Sequence, residues 1–196
     1  MNERSTAQVI THPSVQQRVD QTKRHVCQVA ARLFAANAFD RVSVETIIFE
    51  AGIARSTFYR WFNDKEDLLR QIMIPAFNDA RDQLEQLDRE RPEEIPNGVA
   101  DSLLAVWEVH REAFLLTSSI GTANFHLVQS AHDAYAKVVL ELMQILEQAR
   151  MLRNDDALLA SMFLAQLATR LLQTCESHPQ FHNVFRSTLR GMLLKW

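Results

Sequence analysis

The sequence has few of the residues that build turns, with only four glycines and five prolines among 196 residues. β-Sandwiches, β-barrels and glycine-rich nucleotide-binding folds need more turn residues than this. Hydrophobic residues make up 47% of the chain and charged residues 23%, which are globular values and exclude wholesale disorder. The composition therefore predicts an all-α protein with enough chain for one large domain or two small ones.

Cysteine is equally scarce. Cys27 and Cys175 alone cannot form a disulfide framework or a four-ligand zinc site, and both lie in apolar helical segments typical of reduced, buried thiols. His178 and His182 are a helical turn apart, but Pro179 lies between them and no acidic or cysteine ligand accompanies them. We therefore expect no metal and no cofactor.

Long hydrophobic runs are absent as well. Residues 1–14 contain no apolar stretch long enough for a signal peptide, and we expect them to form a flexible tail. The longest uncharged run, residues 113–132, is interrupted by polar side chains and does not resemble a transmembrane helix. These absences predict a cytoplasmic chain without membrane contact.

The net charge of −3 is unevenly distributed along the chain. Residues 1–71 carry a net charge of +2, whereas the remainder carries −5. A polyanionic partner would therefore meet the N-terminal third of the chain.

Apolar residues recur at helical spacing along most of the chain, and we predict nine helices. The first begins at Val15, and Asn37 would end it in a left-handed conformation. Ser43 is the expected N-cap of a short second helix that stops at Gly52.

The other predicted helices are longer than the second, except for the third and the sixth. The predicted spans are residues 55–61, a long helix from Asn63 past Leu84, and residues 97–111, 113–120, 124–149, 156–176 and 179–195. Asn63 and Glu66 resemble a capping box, and Pro75 would kink the long helix. Pro179 would occupy the first turn of the last helix.

The two short helices on either side of Gly52 have the pattern of a helix-turn-helix motif. Ala51 is small enough for close crossing, and Gly52 gives the turn its backbone freedom. The apolar residues that can pack against the first helix are Ile47, Ile53, Phe58 and Phe62. The residues with donors suited to base edges and phosphates are Arg55, Ser56, Thr57, Tyr59 and Arg60. On this motif alone, a purely structural helical hairpin remains an alternative.

The motif and its flanks resemble the DNA-binding domain of TetR-type transcriptional regulators over about residues 20–71, roughly a quarter of the chain. The matching positions are residues 28–34, Phe39, Ser43, Val44, residues 51–53, residues 56–59, Phe62, Lys65, Glu66, Leu68 and Leu69. The spacing agrees across four helices at once, which makes the resemblance specific.

The resemblance implies that the helix over residues 55–61 lies in the major groove of double-stranded operator DNA. Arg55 and Ser56 would reach base edges or nearby phosphates, and Tyr59 would bind a phosphate. Lys65 would add charge at the start of the next helix, where backbone N–H groups also face phosphate. The residues that would touch the DNA backbone from the supporting helix are Ser43 and Thr46.

Four positions depart from the family pattern: Ala38, Ile48, Ala54 and Trp61. Ala54 stands where a capping serine is usual, which would cost about 0.5–2 kcal/mol of stability. These departures leave a second hypothesis, a helical dimeric interaction protein that kept the fold without sequence-specific DNA binding.

The predicted organisation is a DNA-binding domain over residues 15–71 and a ligand-binding and dimerisation domain over residues 72–196. The helix over residues 156–176 is apolar almost all round, so both of its sides must be covered. The last helix adds an apolar stripe of Phe181, Phe185 and Met192, with Leu193 and Trp196 near its end. The resemblance implies a symmetric homodimer through these two helices, and a central helix in a monomer is the alternative.

The resemblance also implies a pocket for a small-molecule effector in the C-terminal domain. The residues that would combine apolar walls with a few polar groups are Trp107, His110, Phe114, Phe125, His126, Gln129, Met143, Phe163, Gln166 and Arg170. Gln166 and Arg170 lie one turn apart on an otherwise apolar helix, where polar side chains need a partner. Each aromatic residue or histidine could instead belong to the core or the surface.

The leading hypothesis is a repressor that an effector releases from a pseudo-palindromic operator, by favouring the conformation that cannot bind DNA. The sequence contains no nucleophile–base pair, glycine-rich phosphate loop or paired carboxylates facing a pocket. We therefore do not expect an enzyme.

Overall fold

The computed structural model describes residues 14–117 and 119–195, which form nine α-helices and no strand. The helices are α1 Val15–Ala36, α2 Val44–Ala51, α3 Arg55–Trp61, α4 Lys65–Glu85, α5 Ile95–Leu116, α6 Gly121–Phe125, α7 Gln129–Gln148, α8 Ala157–Cys175 and α9 Phe181–Leu193. A 3-10 turn, Phe39–Arg41, precedes α2, and an isolated antiparallel bridge pairs Leu152 with Leu194. The all-α prediction is confirmed. Most of the predicted tail, together with Trp196, lies outside the described residues.

The two short helices begin and end where the sequence predicts. The Ser43 hydroxyl accepts the N–H of Thr46 at 3.0 Å and caps α2. Gly52 ends α2 with a φ of 62°, a left-handed conformation that glycine adopts without steric cost. Local cap and turn chemistry therefore fixes both ends of α2.

The predicted cap residues at the end of α1 and the start of α4 are wrong. Asn37 is extended, with a φ of −136°. Its side-chain amide donates to the Leu33 carbonyl at 3.0 Å, so this carbonyl in the last turn of α1 has a hydrogen-bond partner without a left-handed residue. The N-cap of α4 is Asp64 rather than Asn63, since the Asp64 carboxylate accepts the N–H of Asp67. The Asp67 carboxylate in turn accepts the N–H of Asn63 at 2.9 Å.

The middle helices also differ from the prediction. The predicted helices over residues 97–111 and 113–120 are one element, α5, with a break at His110, where φ is −122° and ψ is 34°. The predicted helix over residues 124–149 is divided into α6 and α7, because Val128 leaves the helical conformation and buries its side chain. Helix α4 runs through Pro75.

The last helix begins later than predicted. Helix α9 starts at Phe181, so Pro179 lies outside it. The reason is a turn that precedes the helix. In this turn the His178 ring nitrogen Nδ1 accepts the N–H of Gln180 at 3.0 Å, and the His178 carbonyl accepts the N–H of Phe181 at 3.0 Å.

Two cores hold the helices together. The first includes Phe34 of α1, Ile47 of α2, Phe58 of α3 and Leu68 of α4, and it continues into Leu116 of α5. The second is built by the end of α4 with α5, α7, α8 and α9, and its central side chains are Trp107, Leu142, Met143, Leu164, Leu172, Phe185 and Leu189. Because α4 belongs to both cores, it connects the N-terminal helices to the body.

Helix α8 has two different faces. Its inner face, which includes Ala160, Leu164, Ala168 and Leu172, is buried in the second core. Its outer face exposes the large apolar side chains Leu158, Met162, Phe163 and Leu167. By length and composition, α8 is the one helix in the described part of the chain that could cross a membrane, and the same composition is found in core helices of soluble proteins.

The hydroxyl of Ser102 in α5 is buried and has no hydrogen-bond partner among the described residues. Ser102→Ala removes this unsatisfied group and improves helix propensity, so we expect a gain of about 1 kcal/mol. For a chain of this size, that raises the melting temperature by about 2–4 °C. The control is Ser187→Ala on α9, whose exposed hydroxyl donates to the Val184 carbonyl. A lower melting temperature for Ser102→Ala alone would contradict this account.

Candidate functional site

Helices α2 and α3 carry most of the predicted DNA contacts on the surface. The exposed residues among them are Ser43, Thr46, Arg55, Ser56, Tyr59 and Arg60, whereas Thr57 and Lys65 are half-buried. Beneath this surface, Phe58 is fully buried and its ring lies 5.3 Å from that of Phe62. The polar side of α3 therefore faces outward because its aromatic side is anchored in the first core.

The N-terminus of α3 has no side-chain cap, since Ala54 occupies the cap position. The neighbouring Arg55 forms an ion pair with Glu45 of α2 at 3.2 Å, and its guanidinium lies 5.4 Å from the centre of the Tyr59 ring. Both members of the ion pair are exposed, so the pair contributes little stability. Arg55 can therefore exchange this carboxylate for a phosphate at small cost.

The Lys65 side chain is hydrogen-bonded within the protein. Its ammonium donates to the carbonyls of Phe39 at 3.1 Å and Val42 at 3.2 Å, and it lies 4.6 Å from the centre of the Phe39 ring. An ammonium has three donors, so two of them are already used within the protein. Lys65 thus holds the turn before α2, which the sequence prediction missed.

Carboxylates occupy the N-terminus of α4. Asp64 accepts the N–H of Asp67, and Asp67 accepts the backbone and side-chain N–H groups of Asn63 at 2.9 and 3.1 Å. The backbone N–H of Asn63, with help from Gln71, holds the pKa of Asp67 below its usual range. At this helix N-terminus the Asp67 N–H is therefore already bonded to the Asp64 carboxylate, and a phosphate contact there stays a prediction.

A cavity of about 470 Å³ opens among α4, α5, α6, α7 and α8. Its wall contains Met73, Ala76, Phe77, Ala80, Leu103, Ala113, Phe114, Thr117, Phe125, His132, Tyr135, Leu164, Ala165, Gln166, Ala168, Thr169, Arg170 and Gln173. This volume lies in the range of small-molecule sites. Of the predicted ligand contacts, the structure brings Phe114, Phe125, Gln166 and Arg170 to the wall.

Two predicted ligand contacts on α5 lie elsewhere. Trp107 is buried in the second core, where its ring meets that of Phe114 edge-on at 5.7 Å. His110 lies at the break in α5 and its Nε2 is 2.6 Å from the Asp79 carboxylate of α4. It faces a second cleft, between α1, α4 and α5, which also contains Cys27. Burial raises the pKa of the Cys27 thiol to about 11, which makes it a poor nucleophile.

The other predicted contacts also miss the cavity wall. His126 and Gln129 are exposed at the junction of α6 and α7, because the break between these helices turns them outward. The His126 ring instead bonds the Ala123 carbonyl at 2.8 Å. Phe163 lies on the outer face of α8, and Met143 is buried in the second core.

Three aromatic residues of the wall were not predicted. The His132 ring lies between Phe77, at 5.5 Å, and Phe125, at 4.8 Å, and meets both edge-on. Tyr135, one turn further along α7, makes no hydrogen bond to the described residues, and burial raises its pKa to about 12. His132 and Tyr135 share one face of α7, so helical spacing was the available signal.

Residues 27–72 match the model of the bacterial regulatory proteins of the tetR family. Among curated proteins, MftR of Mycobacterium tuberculosis, named for transcriptional regulation of mycofactocin biosynthesis, is 48% identical over 44 residues. This match covers 22% of this chain and 22% of that relative, so the chain matches about a fifth of the relative's length.

The whole chain also resembles solved structures. A tetR-family regulatory protein from Rhodococcus RHA1 superposes with a TM-score of 0.66 at 13% identity, covering 90% of this chain and 98% of that one. The ketosteroid transcriptional regulator KstR2 of Mycobacterium tuberculosis superposes with a TM-score of 0.64 at 18% identity, covering 93% of this chain and 98% of that one. At these identities the likeness establishes the fold. Residues 27–72 therefore match the N-terminal domain of the tetR family, and the chain as a whole has the fold of the solved regulators that it resembles.

Proposed function

We propose that the protein is a ligand-responsive repressor that binds a pseudo-palindromic operator as a homodimer. The observation that carries this proposal is α3, whose Arg55, Ser56, Tyr59 and Arg60 are exposed above the buried Phe58. Hydroxyl and guanidinium groups on a short exposed helix suit base edges and phosphates in the major groove. A DNA-binding regulator of this kind acts in the cytoplasm.

The outer face of α8 supports a homodimer. Four large apolar side chains on this helix, Leu158, Met162, Phe163 and Leu167, are 39–60% exposed, and clustered exposed apolar groups mark interaction sites. A two-fold axis beside α8 would cover this face with its own copy. Helix α9 offers less apolar surface to a second copy than the sequence suggests, because its Phe185 and Leu189 are buried within the chain.

The cavity supports control by a small-molecule effector. Helix α4 supplies Leu68 and Leu69 to the first core and Met73 and Phe77 to the cavity wall. A ligand that changes the position of α4 would therefore change the position of the reading helix α3. An effector that binds better to the DNA-incompetent arrangement releases the operator by population shift.

The test is fluorescence anisotropy on duplexes selected from a random library and on scrambled controls, at several salt concentrations. Tyr59→Phe and Arg60→Gln are expected to weaken specific binding about tenfold each, and Arg60→Gln to lower the salt slope by about one. Lys65→Ala is a poor probe because it also releases the carbonyls of Phe39 and Val42.

The matched control is Lys137→Gln, an exposed charge on α7 far along the chain from the reading helix. It should leave DNA binding unchanged. Failure to select any duplex over scrambled DNA would favour the second hypothesis, a dimeric interaction protein without sequence-specific DNA binding. If Tyr59→Phe and Arg60→Gln changed the affinity for DNA no more than Lys137→Gln does, α3 would not contact DNA.

A further inference from the structure

We propose that the cavity takes an amphipathic carboxylate, with an apolar chain or ring inside and the carboxylate on Arg170 at the mouth. This inference rests on the proposed function, since it names the chemical class of the effector. It follows from the way apolar and polar groups are distributed in the wall.

The side-chain amides and the charge of the cavity wall lie on a different helix from most of its apolar groups. Helices α4 and α5 contribute almost only apolar groups, namely Met73, Ala76, Phe77, Ala80, Leu103, Ala113 and Phe114, with Thr117 just beyond α5. The side-chain amides and the one guanidinium of the wall are on α8, where Gln166, Thr169, Arg170 and Gln173 follow one another along one side, and α7 adds the His132 ring and the Tyr135 hydroxyl. A ligand that satisfies both sides must itself be amphipathic.

Arg170 is the only permanently charged residue in the described wall, and no aspartate or glutamate lines it. No ion pair joins the Arg170 guanidinium to a carboxylate of the described residues. A guanidinium presents paired donors that match the two oxygens of a carboxylate. Arg170 is exposed, which places the charged group at the mouth and the apolar part inside.

The aromatic rings in the wall could instead suggest a cationic ligand, since ammonium groups bind aromatic faces. The geometry argues against this. His132 meets Phe77 and Phe125 edge-on, so these rings pack on one another. A cation would also meet the Arg170 guanidinium without any carboxylate to offset the repulsion. The charge balance of the wall therefore selects an anion.

The experiment is isothermal titration calorimetry of the full-length protein with decanoate, decanol and decyltrimethylammonium, which share one chain and differ in headgroup charge. We expect decanoate to bind about tenfold or more tightly than decanol, the gain of one charge-assisted contact. Arg170→Gln should remove this preference and leave decanol binding unchanged. Arg150→Gln, an exposed arginine outside the wall, should change neither.

Two results would overturn the ligand class. One is equal or tighter binding of the alcohol or the ammonium compound, and the other is no measurable binding of decanoate. Both leave the proposed repressor standing, because operator binding is measured without ligand. Conversely, decanoate that binds through Arg170 without weakening the operator complex supports the ligand class and contradicts effector-driven release.

Discussion

Phe58→Ala is expected to unfold the helix-turn-helix region and abolish operator binding. The Phe58 side chain is fully buried in the first core, packed on Phe62 and Tyr59. Truncating a buried phenylalanine costs about 3–5 kcal/mol, whereas a whole domain is stabilised by about 5–15 kcal/mol. The measurement is urea unfolding followed by circular dichroism, paired with anisotropy on the selected duplex.

The effect should be large because α3 has little stability of its own. A helix of seven residues is far below the length at which isolated helices form, and Ala54 supplies no cap. Packing of Phe58 therefore holds the reading helix in place. The matched control is Phe49→Ala on α2, whose side chain is 81% exposed. It should change stability by less than about 0.5 kcal/mol. Equal losses in the two variants would refute the anchoring role of Phe58.

The helix-turn-helix could be predicted because its determinants are local. Ser43 bonds a backbone group three residues away, and Gly52 needs only its own left-handed conformation. Side-chain contacts between distant parts of the chain could not be predicted in this way. Lys65 bonds carbonyls 26 and 23 residues earlier in the chain, and no helical pattern reveals such contacts.

The cavity shows the same limit. Phe77 of α4 and His132 of α7 come together only through the packing of two helices. Trp107 and Phe125 look alike as apolar positions, yet one lies in the second core and the other in the cavity wall. Gln166 and Arg170 were predictable because polar groups interrupt an apolar helix, which is a signal carried by α8 alone.

Leu167→Asp is expected to split the proposed homodimer. Leu167 is 39% exposed in the single chain and lies on the outer face of α8 with Phe163. At a two-fold interface the substitution places an unpaired carboxylate on both copies, and each burial costs several kcal/mol. The dimer dissociation constant should rise by about a thousandfold or more. Sedimentation should then show the single-chain mass of 22.5 kDa at micromolar concentration.

Loss of the dimer should also remove tight DNA binding. A dimer places two reading helices about 34–36 Å apart, on successive half-sites, whereas a single chain contacts only one. The matched control is Gln144→Asp, which adds the same charge on the exposed side of α7 and should leave dimer and affinity intact. A wild-type chain that sediments at 22.5 kDa would contradict the dimer outright. A Leu167→Asp protein that stays dimeric would place the interface away from the outer face of α8, since no two-fold contact there tolerates two facing carboxylates.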